Sequence, residues 1–172
     1  AEILEKETAK TDVRMMAYFR AALLHYREGD FRAAREILEP FVIDYQSYAY
    51  RPEIIACFNL MGVAAYCERS YALARFYIHE GLKIARENHE ISRYSYEYNN
   101  LAVTYLAQHE YEKALEAIRS SGRPDAGTIP IIAMSANAYA EDVQKCLDTG
   151  MNAHISKPLY KDVMLETIER FV

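Results

Sequence analysis

Few side chains in this chain are of a type and spacing that could do chemistry. Five histidines, His25, His79, His89, His109 and His154, share no metal-ligand or triad spacing, and no glycine-rich phosphate loop occurs. Cys57, Cys67 and Cys146 lack CxxC spacing and read as reduced thiols packed as small apolar groups. Two polar positions stand out by where they fall. Ser135 closes the apolar run Ile129 to Met134, and the Lys157-Pro158 pair closes the short apolar segment Ala153 to Ser156. A hard cation beside either would need several oxygen ligands. No acidic pair follows an apolar segment anywhere before Ser135, and Glu141-Asp142 stands at a helix start, where carboxylates favour the macrodipole. The expectation is therefore a protein that is not an enzyme and holds no metal or cofactor.

The bulk properties agree. At 172 residues the chain can bury one large core or two small ones, and its 51% hydrophobic and 26% charged residues are ordinary for a globular protein. A net charge of −5 argues against nucleic acid as a partner. No apolar run approaches the roughly 20 residues that span a bilayer. The opening AEILEKETAK is charged throughout and does not read as a secretory signal, so the expected location is cytoplasmic. Fifteen tyrosines and no tryptophan are the compositional oddity. Clustered at helix spacing, as in Tyr94, Tyr96, Tyr98 and Tyr105, they are expected to fill gaps between helices while the hydroxyl reaches water or a partner.

The elements that must position these residues begin with a repeat. Ala34, Ala74 and Ala114 recur at a step of 40 residues, as do Tyr18, Phe58 and Tyr98, and Ala22, Gly62 and Ala102. Phe31, Tyr71 and Tyr111 keep the same step, and so do Leu38, Ile78 and Ile118. In each unit an aromatic is followed one helical turn later by Ala or Gly, where a tiny side chain lets a neighbouring helix approach closely. A short turn follows, at Glu28-Gly29-Asp30, Arg69-Ser70 and His109-Glu110. Antiparallel helix pairs of this kind bury their apolar faces only by stacking on one another.

These columns resemble the tetratricopeptide repeat, most clearly in YNNLAVTYLAQHEYEKALEAI from Tyr98 to Ile118. The resemblance covers about residues 15 to 120, with units near 15–54, 55–94 and 95–120. The usual period is about 34 residues, so extra length is expected, and Asp44 to Arg51 and Glu87 to Ser92 are its expected places. Pro52 suits a first helical turn. The resemblance implies a concave groove built from the first helix of each pair. That groove would present Phe19, Leu23 and Tyr26, then Asn59, Val63 and Tyr66, then Asn99, Val103 and Leu106. Asn59 and Asn99, one repeat apart, could hydrogen-bond an extended peptide.

From Thr128 the chain reads as strand, helix, strand and helix. Ile129 to Met134 fits a buried parallel strand. A helix starts at Asn137 or Ala138 and stops at Gly150, Ala153 to Ser156 is a second strand, and a final helix from Leu159 buries Val163, Met164, Ile168 and Phe171. AMSANA and ISKP at this separation resemble the second half of a response-regulator receiver domain, a flavodoxin-like α/β fold. By that resemblance Ser135 and Lys157 match phosphoryl-contact positions, His154 matches the rotating switch position, and Lys157-Pro158 would be cis. Receivers also need an acidic pair and an acceptor aspartate on earlier strands. A helical repeat stands there instead, which makes Ser135 and Lys157 relics. The segment Tyr111 to Arg119 fits both families, so the receiver half is read as 111–172, the repeats as 1–120, and the join as a recombination, natural or engineered.

The expected fold is thus a tetratricopeptide-like α-solenoid followed by a partial flavodoxin-like unit. The expected function is non-catalytic protein interaction. The groove would take a protein or peptide partner, and a two-stranded sheet too small to stand alone would favour self-association through the receiver half. The alternative is a two-component phosphorelay regulator whose receiver is completed by a partner chain.

Overall fold

A computed structural model describes residues 2–43, 45, 51–136 and 139–171. The elements run α1 (Glu2–Glu28), α2 (Phe31–Ile43), α3 (Pro52–Cys67), α4 (Tyr71–Glu87), α5 (Ile91–Leu106), α6 (Tyr111–Arg119), β1 (Ile132–Ser135), α7 (Ala140–Asp148), β2 (Ala153–Ser156) and α8 (Lys161–Glu169). The protein is mostly helical with one small parallel sheet, consistent with a helical repeat followed by a partial α/β unit. It packs as two compact units, Ala1–Asn100 and Leu101–Val172.

The 40-residue step of the sequence is also a step in backbone conformation. Gly29, Arg69 and His109 all adopt left-handed φ, at 85°, 60° and 58°. In each turn the next amide, of Asp30, Ser70 or Glu110, donates to the carbonyl five residues back, at 2.9, 2.9 and 3.0 Å. This bond satisfies a carbonyl that the ending helix leaves open. His89, at φ 57°, repeats the pattern between α4 and α5, with the Glu90 amide on the Ala85 carbonyl at 2.9 Å. The Glu87 to Ser92 segment is therefore a tight turn and not the store of extra length. That length lies in the helices, since α3, α4 and α5 hold 16, 17 and 16 residues. Apart from residues 45 and 51, the Asp44 to Arg51 segment lies outside the described residues.

In the first unit the small columns are the contact points. Ala22, Ala34 and Ala74 are wholly buried. A Cβ added at Gly62 would sit 2.9 Å from Ile78 Cγ1, so α3 and α4 touch where neither has room to spare. Leu38, Ile55, Met61 and Ile78 complete the interior, each contributing roughly 1.5–3 kcal/mol by burial. Across successive turns Tyr26 packs on Phe31 and Tyr66 on Tyr71, with ring centres 5.5 and 5.9 Å apart. Asp30 caps α2 through the Ala33 amide at 3.0 Å, and Pro52 opens α3. Arg35 ties α2 to the end of α3, its Nε and Nη2 both on Glu68 Oε2 at 2.8 and 2.7 Å. The tyrosines divide. Tyr98 is buried and bonded to Arg86, whereas Tyr96 is 73% exposed.

In the second unit β1 and β2 pair in parallel, Ile132 opposite Ala153 through Ser135 opposite Ser156. Asn152 brackets the start of the pair. Its side-chain oxygen accepts from the Ile131 amide and its own amide donates to the Ile131 carbonyl, both at 2.8 Å. Arg119, ending α6, donates to the carbonyls of Ala126 and Ile129 at 2.7 and 2.8 Å and so fixes the loop between. Gly150 closes α7 at φ 103°, as its position in the sequence implied. Asn137 and Ala138, the expected helix start, lie outside the described residues, and α7 begins at Ala140.

Two expectations need correction. The first strand is shorter than its apolar run and is buried on one side only, with Ala133 inside and Met134 48% exposed. The last helix does not bury Val163 and Ile168, which are 48% and 40% exposed. Met164 and Phe171 are half-buried, and the buried residue of that helix is Thr167, its hydroxyl turned onto the Val163 carbonyl at 2.7 Å. Two strands of four residues offer too little apolar surface to cover the stripe.

Candidate functional site

The sheet's C-terminal end gathers the three residues singled out there. Ser135 Oγ lies 3.0 Å from His154 Nε2, and the Lys157 amide donates to the Ser135 carbonyl at 2.8 Å. The Lys157-Pro158 bond is cis and Lys157 is exposed. The contact between Ser135 and His154 follows from register. Ala133 pairs with His154, so the residue ending β1 comes within reach of that ring. Nearby in the same unit, Tyr111 donates to Asp142 Oδ1 at 3.1 Å, and its hydroxyl is 2.8 Å from His109 Nδ1. Burial, then the Asp142 carboxylate, push the Tyr111 hydroxyl up to about 12. Sequence reading gave Asp142 only to the helix start, and its link to α6, 31 residues away, carried no local sign.

A second site lies in the first unit. A cavity of about 300 Å³ opens between α1, which supplies Phe19, Leu23 and Tyr26, and α3, which supplies Ala56, Asn59, Leu60 and Val63. Arg93, Tyr96 and Glu97 of α5 complete its lining. Five of the nine residues assigned to a groove, Phe19, Leu23, Tyr26, Asn59 and Val63, are thus brought together. The other four are not. Tyr66 packs on Tyr71, Asn99 is exposed, and Val103 and Leu106 belong to the other unit.

The residue that sequence reasoning missed is Glu97. It is 2% exposed, and Asn59 Nδ2 donates to its Oε1 at 2.9 Å. Its Oε2 is buried with no hydrogen-bond partner among the described residues. Burial raises its proton affinity to about 7, against the Asn59 bond and the charge of Arg93, which pull the other way. The clue was present in the repeat. Glu97 occupies the column of Cys57, so a carboxylate stands where the preceding unit has a wholly buried thiol. Cys57 itself is pushed up to about 12 by burial, as an inert packed thiol is. The two asparagines one repeat apart do not play matching parts. Asn59 orients Glu97, whereas Asn99 is exposed.

No protein-family model matches the chain. Among curated proteins the similarity is local. Histidine kinase 1 of Arabidopsis thaliana is 41% identical over 56 residues, which is 31% of this chain and 5% of that protein. The sensor histidine kinase RcsC of Escherichia coli strain K12 is 46% identical over 41 residues, 24% of this chain and 4% of the kinase. RcsC of Salmonella typhimurium is 44% identical over the same length. The chain spans about one-twentieth or less of the length of these relatives. The short matches relate a receiver-like region of this chain to histidine kinases. No helix among the described residues is long and apolar enough to cross a membrane.

Proposed function

We propose that this chain is a non-catalytic protein-interaction module of two-component signalling. Its tetratricopeptide-like repeats receive a partner segment, and its receiver half, joined to them through α6, serves as a docking face without phosphoryl chemistry. The observation that carries the reading is the group set at the end of β1 and β2. Ser135 is occupied with the His154 ring, and the preceding elements of that unit are the end of α5, α6 and a loop, which supply no strand-end carboxylate. Phosphoryl transfer leans on a metal ion to neutralise developing charge, and the carboxylates to hold one are missing from the pattern. Incubation with acetyl phosphate and Mg²⁺, followed by intact-mass measurement at neutral pH, is expected to leave the mass unchanged. An acid-stable, hydroxylamine-labile phosphoryl adduct would overturn this reading. It would favour the second one, a phosphorelay regulator completed by a partner chain, which the retained Ser135 and Lys157 and the local likeness to histidine kinases support.

The receiver half also carries the proposed self-association. Val163, Leu165 and Ile168 of α8 and Met134 of β1 are each at least 40% exposed, and the sheet stops at two strands. Unpaired strand edges and uncovered apolar stripes favour pairing with another copy. Light scattering across a dilution series is expected to show a dimer that persists on dilution and is weakened by Ile168→Glu. A monomer at every concentration would remove this part of the proposal.

A further inference from the structure

The outward face of α1 repeats, position for position, a face of α3 that is covered. Along α3 the stripe Ile54, Cys57, Met61 and Ala64 is at most 6% exposed, and Glu68 ends it. Part of that cover is α2, which packs against α3 and lays Arg35 Nη2 on Glu68 Oε2 at 2.7 Å. One repeat earlier the same positions on α1 are Arg14, Ala17, Ala21, Leu24 and Glu28. The hairpin partner is in place there too, since α2 packs against α1, with Tyr18 edge-on to Phe41. Yet Arg14, Ala17, Leu24 and Glu28 are exposed, Leu24 by 58%. Glu28 makes no ion pair among the described residues. What distinguishes the two faces is the counterpart of α2. The stripe lies on the side of α1 away from Phe19, Leu23 and Tyr26, and is therefore separate from the groove.

We infer that this face docks an amphipathic helix of a protein partner, antiparallel to α1, with an arginine near its start set on Glu28 as Arg35 is set on Glu68. The orientation follows from α2, whose Arg35 stands near its beginning while Glu68 stands at the end of α3. The two faces differ at one informative position, for Arg20 is exposed where α3 has the buried Leu60. In antiparallel register, a residue one turn after the partner's arginine falls beside Leu24, a turn from Arg20. A carboxylate there completes the charge match. The α2 sequence has this pattern, with Arg35 followed by Glu39 one turn on.

Fluorescence anisotropy of the full chain with a labelled synthetic α2 segment, Asp30 to Ile43, tests the inference. In the peptide the exposed pair Arg32 and Glu36 is replaced by a lysine–glutamate side-chain lactam, which holds it helical. The peptide is expected to bind, and Glu28→Arg to weaken it about fivefold, as attraction turns to repulsion at a partly covered pair. Because Glu28 is exposed, its reversal leaves the core untouched. A peptide carrying Arg35→Glu is expected to recover that loss on the Glu28→Arg protein. Exchange of the peptide for the chain's own α2 would answer to Glu68→Arg instead, and a loss confined to that variant would overturn the inference. So would absence of binding, binding indifferent to Glu28→Arg, or no recovery with the reversed peptide.

Discussion

Gly62→Val will destabilise the helical unit by about 3 kcal/mol, despite the better helix propensity of the new residue. Even the first carbon of any side chain at this position would lie 2.9 Å from Ile78 Cγ1 and 3.4 Å from the Ala74 carbonyl oxygen. Cγ1 is held close to its own backbone, so the clash cannot be relieved by swinging a chain end away. Relief requires α3 and α4 to separate, and each then loses contacts around Met61, Ile78 and Ala74, all essentially inaccessible to solvent. Gly81 is the control. There a Cβ would meet Phe58 Cβ at 3.4 Å and Glu97 at 3.6 Å, which is ordinary contact. Gly81→Ala is therefore expected to be neutral or stabilising by up to about 1 kcal/mol through propensity alone. Urea denaturation followed by helical circular dichroism measures both. A Gly62→Val midpoint equal to the parent's would mean that the close approach of α3 and α4 does not set the stability of the unit.

Glu97→Gln will change how stability depends on pH. In the unfolded chain a glutamate releases its proton near 4.5, but in the folded protein burial holds the Glu97 proton to about 7. Between those values the folded state binds more protons than the unfolded one, so stability falls as pH rises and levels off above about 7. The total fall from this group is about 3 kcal/mol, undiluted by solvent because the side chain is buried. Arg93, Tyr26 and Tyr96 are the other ionisable side chains that line the cavity. Glutamine retains the acceptor for Asn59 and has nothing to ionise. The variant is expected to match the parent near pH 4.5 and exceed it at pH 8, the gap opening between. Parallel pH profiles for the two proteins would show that Glu97 does not titrate in the folded state.

The helical half was legible because its columns are constrained from both sides. A position that must be Ala or Gly in three successive units, as at Ala22, Gly62 and Ala102, announces a close approach of helices without reference to any particular neighbour. In the second unit β2 begins and ends where Ala153 and Ser156 implied, whereas β1 starts at Ile132, inside the apolar run that suggested it. Failures came where the answer lies with a distant residue. The apolar stripe of α8 gives a direction but not whether enough sheet lies beneath it. Glu97 looks like one more polar residue of a tyrosine-rich helix, and only Asn59, 38 residues earlier, turns it into a buried, oriented carboxylate. The left-handed turns at Arg69 and His109 were placed by period and not by residue type, since neither is the glycine that such a conformation favours, and the turn at His89, off the period, was not placed at all.

That last feature bears on how a chain of this kind can lengthen or shorten. Gly29, Arg69 and His109 are unlike in chemistry, yet the backbone passes each in the same conformation and resumes with the same carbonyl-to-amide closure. A genetic crossover that joins the residue before one turn to the residue after another would splice two helices at equivalent points, with the reading of inward and outward faces unbroken. Copy number is then the easiest trait of the array to change, and residue identity at the splice the least consequential.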